Sequence, residues 1–175
     1  MTTEQHWLAL GIIEPFERVS GAVADLTSTY DPSQIAVILK ASRFEDLHRD
    51  PQNRRALQTC EATLGPPIAQ HGSSLVIATP SRELMVKIAA MLGRATPMCD
   101  AAACAFPVRY LDEIDRKLAG GALVICVRAR AHADLQSAVR VLLERSRHAV
   151  QTHSIVFASL YTQRWGEVEA PRPAC

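Results

Sequence analysis

Cys99-Asp-Ala-Ala-Ala-Cys104 sets two thiols five residues apart with Asp100 between them, and thiolates are natural zinc ligands. Structural zinc sites use paired short spacings and four ligands, so this pair becomes a metal site only if His71, His132 or His153 converges on it. The same residues have a covalent reading. Cys104 stands just ahead of a proline-led helix at Pro107, and a helix N-terminus lowers a thiol pKa towards a nucleophilic thiolate. The ordinary role of a free cysteine is that of a small buried hydrophobe. Carboxylate chemistry needs two acids aimed at one point. Tyr110, Asp112, Glu113, Asp115 and Arg116 follow instead the exposed side of an amphipathic helix. The eight glycines are scattered and Gly120-Gly121 closes a helix, which leaves no phosphate-cradling loop. Haem and iron–sulfur attachment have no signature, and no cofactor is expected.

These residues are carried by two matching strand-helix-strand patterns, at Trp7 to Lys40 and at Ala122 to Ala158. In the first, Leu8, Leu10 and Ile12 alternate with Ala9 and Gly11 as in a half-buried strand. The period then changes. Pro15 suits a first helical turn, and Phe16, Val19, Val23, Leu26 and Tyr30 form one apolar stripe before Asp31-Pro32. Ile35 to Leu39 reads as the return strand. In the second unit Leu123 to Arg130 is a strand, Leu135, Val139, Leu142 and Leu143 stripe a helix, and Val150 to Ala158 is the last strand. A helix led by Pro107 and striped by Val108, Leu111, Ile114 and Leu118 precedes it.

Between the units, Asp50 is a candidate N-cap with Pro51 at the first position, Leu57, Cys60 and Leu64 form a stripe, and Gly65-Pro66-Pro67 ends that helix. Ser74 to Thr79 reads as an extra strand, and a helix begins near Ser81 with Leu84, Met85, Ile88 and Leu92. The expectation is an α+β, ferredoxin-like βαβ…βαβ sandwich in one domain over residues 1–160, with a mainly helical insertion at 43–106. The tail, 161–175, has little to bury and is expected to be loose.

Composition narrows the function classes. A chain of 175 residues, 48% hydrophobic and 21% charged, can bury about 70% of its unfolded surface without a staple. Nineteen basic residues against 18 acidic ones give a net charge of +1, too little field to attract nucleic acid or an anionic membrane. Arg140, Arg145, Arg147 and His148 make a basic helix end, where cations are favourable in any case. Aromatics total 5%, so a sheet that stacks bases is not expected. No stretch approaches the roughly 20 apolar residues of a membrane-spanning helix. An odd number of cysteines, five, behind an N-terminus without an export signal implies free thiols in a reducing cytoplasm.

The order of elements, with Phe106-Pro107-Val108, Tyr110, Gly120-Gly121-Ala122-Leu123-Val124 and Leu142-Leu143, resembles the bacterial general stress proteins that carry a heat-induced, ferredoxin-like domain. The family's middle is a Gly-rich apolar hairpin suited to membranes or self-association, whereas residues 43–106 carry few glycines and many charges. The resemblance implies a non-catalytic, stress-linked protein and transfers no catalytic residue.

Strand alternation then points to a site. If Leu123, Ile125 and Val127 face the helices, Val124, Cys126 and Arg128 face the other way. The same rule places Ala9 and Gly11, Ala36 and Ile38, and Thr152, Ser154 and Val156 on that second face. So apolar a face needs a cover: the 43–106 segment, a second subunit or a ligand. Ala9, Gly11, Ile38, Val124, Cys126, Arg128 and Ser154 are therefore the candidate ligand or interface residues, and Cys99 and Cys104 the candidate metal pair. The function expected is a binding, scaffold or regulatory protein that self-associates through a sheet face or binds a protein partner. The alternatives are a small-ligand sensor resembling the PII or ACT type, and a Cys-dependent enzyme or metal carrier.

Overall fold

The computed structural model describes residues 3–69, 74–92 and 108–158. Cys99, Cys104, His71 and the tail 161–175 lie outside the described residues. The architecture is mixed α+β, with six helices and a six-stranded antiparallel sheet among the described residues. The strands are β1 (Thr3–Ile13), β2 (Ile35–Lys40), β3 (Ile68–Ala69), β4 (Leu75–Ala78), β5 (Leu123–Ala129) and β6 (Gln151–Ala158). The helices are α1 (Arg18–Thr27), α2 (Ala41–Arg49), α3 (Pro51–Leu64), α4 (Arg82–Leu92), α5 (Val108–Ala119) and α6 (His132–Arg145).

The sheet order is β3-β4-β2-β5-β1-β6. The strands of the two sequence units interleave. β5 lies between β1 and β2 and pairs antiparallel with both, while β1 lies between β5 and β6. Neither unit can therefore complete its sheet without the other. β4 and β3, from the connecting region, extend the sheet beyond β2.

Local chemistry sets the element ends. Asp31 accepts from the Ser33 amide at 2.8 Å, and Gln34 Oε1 accepts from the Asp31 amide at 3.2 Å, a reciprocal cap on the short 3-10 turn Pro32–Gln34 that delivers the chain into β2. Asp50 caps α3, its Oδ1 accepting from the Gln52 amide at 2.9 Å, with Pro51 in the first turn. Gly65 ends that helix at φ +84° and Gly121 turns the chain into β5 at φ +94°, left-handed conformations that suit glycine.

The central strands of the sheet are buried on both faces. On the first, Ala9, Ile13, Ile35, Val37, Leu123, Ile125 and Val127 pack under α1, α2, α3 and α6. On the second, Leu8, Leu10, Ile12, Ala36, Ile38, Val124 and Cys126 pack under α4, through Leu84, Ile88 and Met91, and α5, through Tyr110, Ile114 and Leu118. The connecting region is thus part of the core, supplying helices to both faces and two strands to the sheet. Helix α2 follows β2 without a linker and was not foreseen from the sequence.

The expected face of β1 needs correction. Leu8, Leu10 and Ile12 look to the second face, while Ala9 and Ile13 belong to the core beneath α1 and α6. Gly11 shares that first face: a Cβ built on it would lie 3.2 Å from Leu142 of α6. Bulk does not decide the face of β1: its small residues mark where a helix seats closest. Register carries the correction to β6, where Thr152 pairs with Ala9 and Ser154 with Trp7 on the first face.

Gly11→Val should lower stability by about 1–3 kcal/mol in urea unfolding, because α6 must lift off β1. Leu10→Ala, which opens a cavity on the other face, should cost about 2–5 kcal/mol. An unchanged midpoint for Gly11→Val would show that α6 does not rest on this glycine.

Candidate functional site

The candidate residues divide between the two sides of the sheet. Ile38, Val124, Cys126 and Arg128 lie together on the second face, as expected, but beneath α4 and α5, so that face is occupied by the chain's own helices. Ala9, Gly11 and Ser154 lie on the first face, and only Ser154 is exposed. The seven do not form one surface. Arg128 is buried and its Nη1 lies 3.1 Å from Glu83 Oε2 of α4, tying that helix to the end of β5.

The described thiols are buried hydrophobes. Burial pushes Cys60 up to about 11 and raises Cys126 further, so both stay protonated at neutral pH. Among the described residues no group of three His, Cys, Asp or Glu side chains could hold a metal ion. No described helix is long and apolar enough to cross a membrane.

Two features were not found from the sequence. The first is an ion cluster at one end of the sheet. Glu14 Oε1 accepts from His148 Nε2 at 2.5 Å and from Lys117 Nζ at 3.1 Å, joining the segment after β1, helix α5 and the α6–β6 connection. Ser146 Oγ donates to the Ile12 carbonyl at 2.6 Å beside it. The hydrogen bond from His148, then that from Lys117, holds the Glu14 carboxyl below the usual carboxylate range. The cluster is a clamp on three chain segments far apart in sequence, which is why no spacing announces it.

The second is an open groove of about 520 Å³ between α6 and β6, lined by His132, Leu135, Val139, Arg140, Leu143 and Thr152, with Gln136 and Glu144. Its position follows from where α6 is pinned. Tyr30 Oη donates to the Asp134 carbonyl at 2.5 Å at one end, and Arg145 Nε donates to Asp25 Oδ2 at 2.8 Å at the other. Gly11 then lets the helix settle over β1 rather than over β6. Leu135, Ala138 and Leu142 point into the core. Val139 is half-buried, and Leu143 remains 51% exposed beside the strand. The Trp7 and His132 rings, 5.8 Å apart, stand near the end where Trp7 pairs with Ser154.

Beyond the groove, β6 is the last strand of the sheet, and no described strand pairs with its outer side. Its eight residues include no Asp, Glu, Lys, Arg or Pro. His153 is held towards its neutral form by burial, so the strand is uncharged at neutral pH. Proteins block such edges with charges, proline or bulges. The opposite edge is β3, described at Ile68–Ala69. The sequence did carry a signal for this site, because Leu142 and Leu143 together make the α6 stripe wider than one buried face needs.

No protein-family model matches this chain, and no curated protein or solved structure does.

The Glu14 pKa is lower in the folded chain, so its stabilising effect is complete above the ordinary carboxylate value of 4.5 and is lost as pH falls through the folded-state value. Glu14→Gln should therefore unfold at lower urea than the natural chain at pH 7, and the difference should shrink steadily below pH 4.5. A difference that is constant with pH would mean that the carboxylate charge has no part in the clamp.

Proposed function

We propose that the protein is a non-catalytic binding or scaffold module that takes an extended polypeptide segment along β6, with alternate side chains of that segment entering the α6–β6 groove. One observation carries this reading: an uncharged edge strand of eight described residues runs beside a groove in which Leu135, Val139 and Leu143 of α6 supply an apolar strip. Strand addition draws affinity from main-chain hydrogen bonds and specificity from pockets for every second side chain. This groove supplies the pockets and β6 the bonds.

The four strands β2-β5-β1-β6 are read as a ferredoxin-like sheet extended by β4 and β3. The interleaving of the two terminal units supports that reading. It bears on architecture and not on activity.

The groove's size, about 520 Å³, also lies in the range of small-ligand sites. A raised melting temperature with nucleotides or amino acids at saturation would favour that occupant over a peptide.

The proposal is tested by selecting a displayed library of short random peptides on the immobilised chain. Binders should carry apolar residues at every second position, and Leu143→Glu, a change at an exposed position, should weaken them about tenfold or more. No enrichment, or binders indifferent to Leu143→Glu, would contradict it.

A further inference from the structure

Resting on the binding reading above, we propose that the segment taken up by the groove belongs to a second copy of this chain, with β6 antiparallel to its counterpart and α6 facing its counterpart about a two-fold axis. Among the described residues the groove has one helical wall, α6, and is open on its outer side. A strand added to β6 lies about 4.8 Å further out and passes beneath that open side. When the added strand is β6 of another copy, its α6 comes with it on the same face and closes the groove with a second wall.

The charges on that wall favour a copy over an unrelated partner. A two-fold interface sets residue i of one chain against j of the other, and j against i, so its surface must be complementary to itself. Arg140 and Glu144 stand one helical turn apart on the groove side of α6, with Leu143 between them. Antiparallel approach of two α6 helices centred between these positions brings Arg140 of each copy against Glu144 of the other, and Leu143 against the opposite helix. Among the described residues neither Arg140 nor Glu144 forms an ion pair. Leu143, 51% exposed in one chain, is buried in the pair. The uncharged β6 edge gains the antiparallel partner that nothing in its composition repels.

Sedimentation equilibrium and light scattering of the full chain, from micromolar to submillimolar concentration, test this directly. The expected result is a concentration-dependent species of twice the 19.2 kDa chain mass. Leu143→Glu and Thr152→Lys should each weaken it about tenfold or more, with melting temperature monitored to show that each variant is folded. Arg140→Glu alone and Glu144→Arg alone should also weaken it, and the double reversal should restore it, because only a self-complementary surface survives exchange of both charges. A single-chain mass at every concentration overturns the proposal, as does a dimer indifferent to the charge reversals. Peptide selection then separates the two readings. A monomer that still enriches alternating apolar peptides keeps the groove as a binding site and loses only self-pairing; a monomer that enriches none loses both.

Discussion

The structure depends on β1 and β5 each belonging to two cores at once. Their alternate residues enter opposite layers, one beneath α1, α2, α3 and α6 and the other beneath α4 and α5. Because β5 separates β1 from β2 and β1 separates β5 from β6, the two terminal units hold one another in place through the central ladder. A slip of one residue anywhere in that pair would exchange the two faces, placing Leu8, Leu10 and Ile12 where only Ala9 and Gly11 leave room for α6. Register is thus fixed by steric fit on one face and by bulk on the other.

That constraint decides where function can reside. Central strands covered on both faces by the chain's own helices offer neither face to a partner, so the β6 edge and the helix flanks remain. The position of α6 then shapes the edge. Tyr30 and Asp25 fix its two ends, Ser146 joins the following turn to β1, and Glu14, Lys117 and His148 hold the connection into β6. Pinned over β1 and β5, the helix leaves Thr152 and Ser154 of β6 exposed on the first face, and Thr152 and Leu143 border the groove. The groove is therefore a consequence of core packing, opened by the same contacts that stabilise the fold.

Much of this was legible in the sequence because helices and strands announce themselves through period. The stripes at Val19, Val23 and Leu26 and at Leu84 and Ile88, the Asp50-Pro51 cap and the Val-rich β5 all lie where their spacing placed them. The side to which β1 turns its large residues was misread, since alternation says that Leu10 and Gly11 oppose one another but not which face either takes. Bulk was the wrong guide in a sheet covered on both sides. Alternation misplaces Thr152 and Ser154 in the same way, and their pairing with Ala9 and Trp7 sets them on the first face. The Glu14 clamp was invisible because residues 14, 117 and 148 are brought together only by the interleaved strands. The groove left a fainter trace, in the surplus Leu143 and in a last strand without a charge or a proline.

The central claim, that β6 is the open edge of the sheet formed by the described residues and is completed by pairing, is tested most directly by residue-resolved amide hydrogen exchange at several protein concentrations. The account predicts that the amides of β1 and β5 stay protected throughout, while those of β6 that point away from β1 exchange readily in dilute solution and gain protection as the chain is concentrated. It would be contradicted if those β6 amides were as protected as β1 at the highest dilution, or stayed unprotected at every concentration.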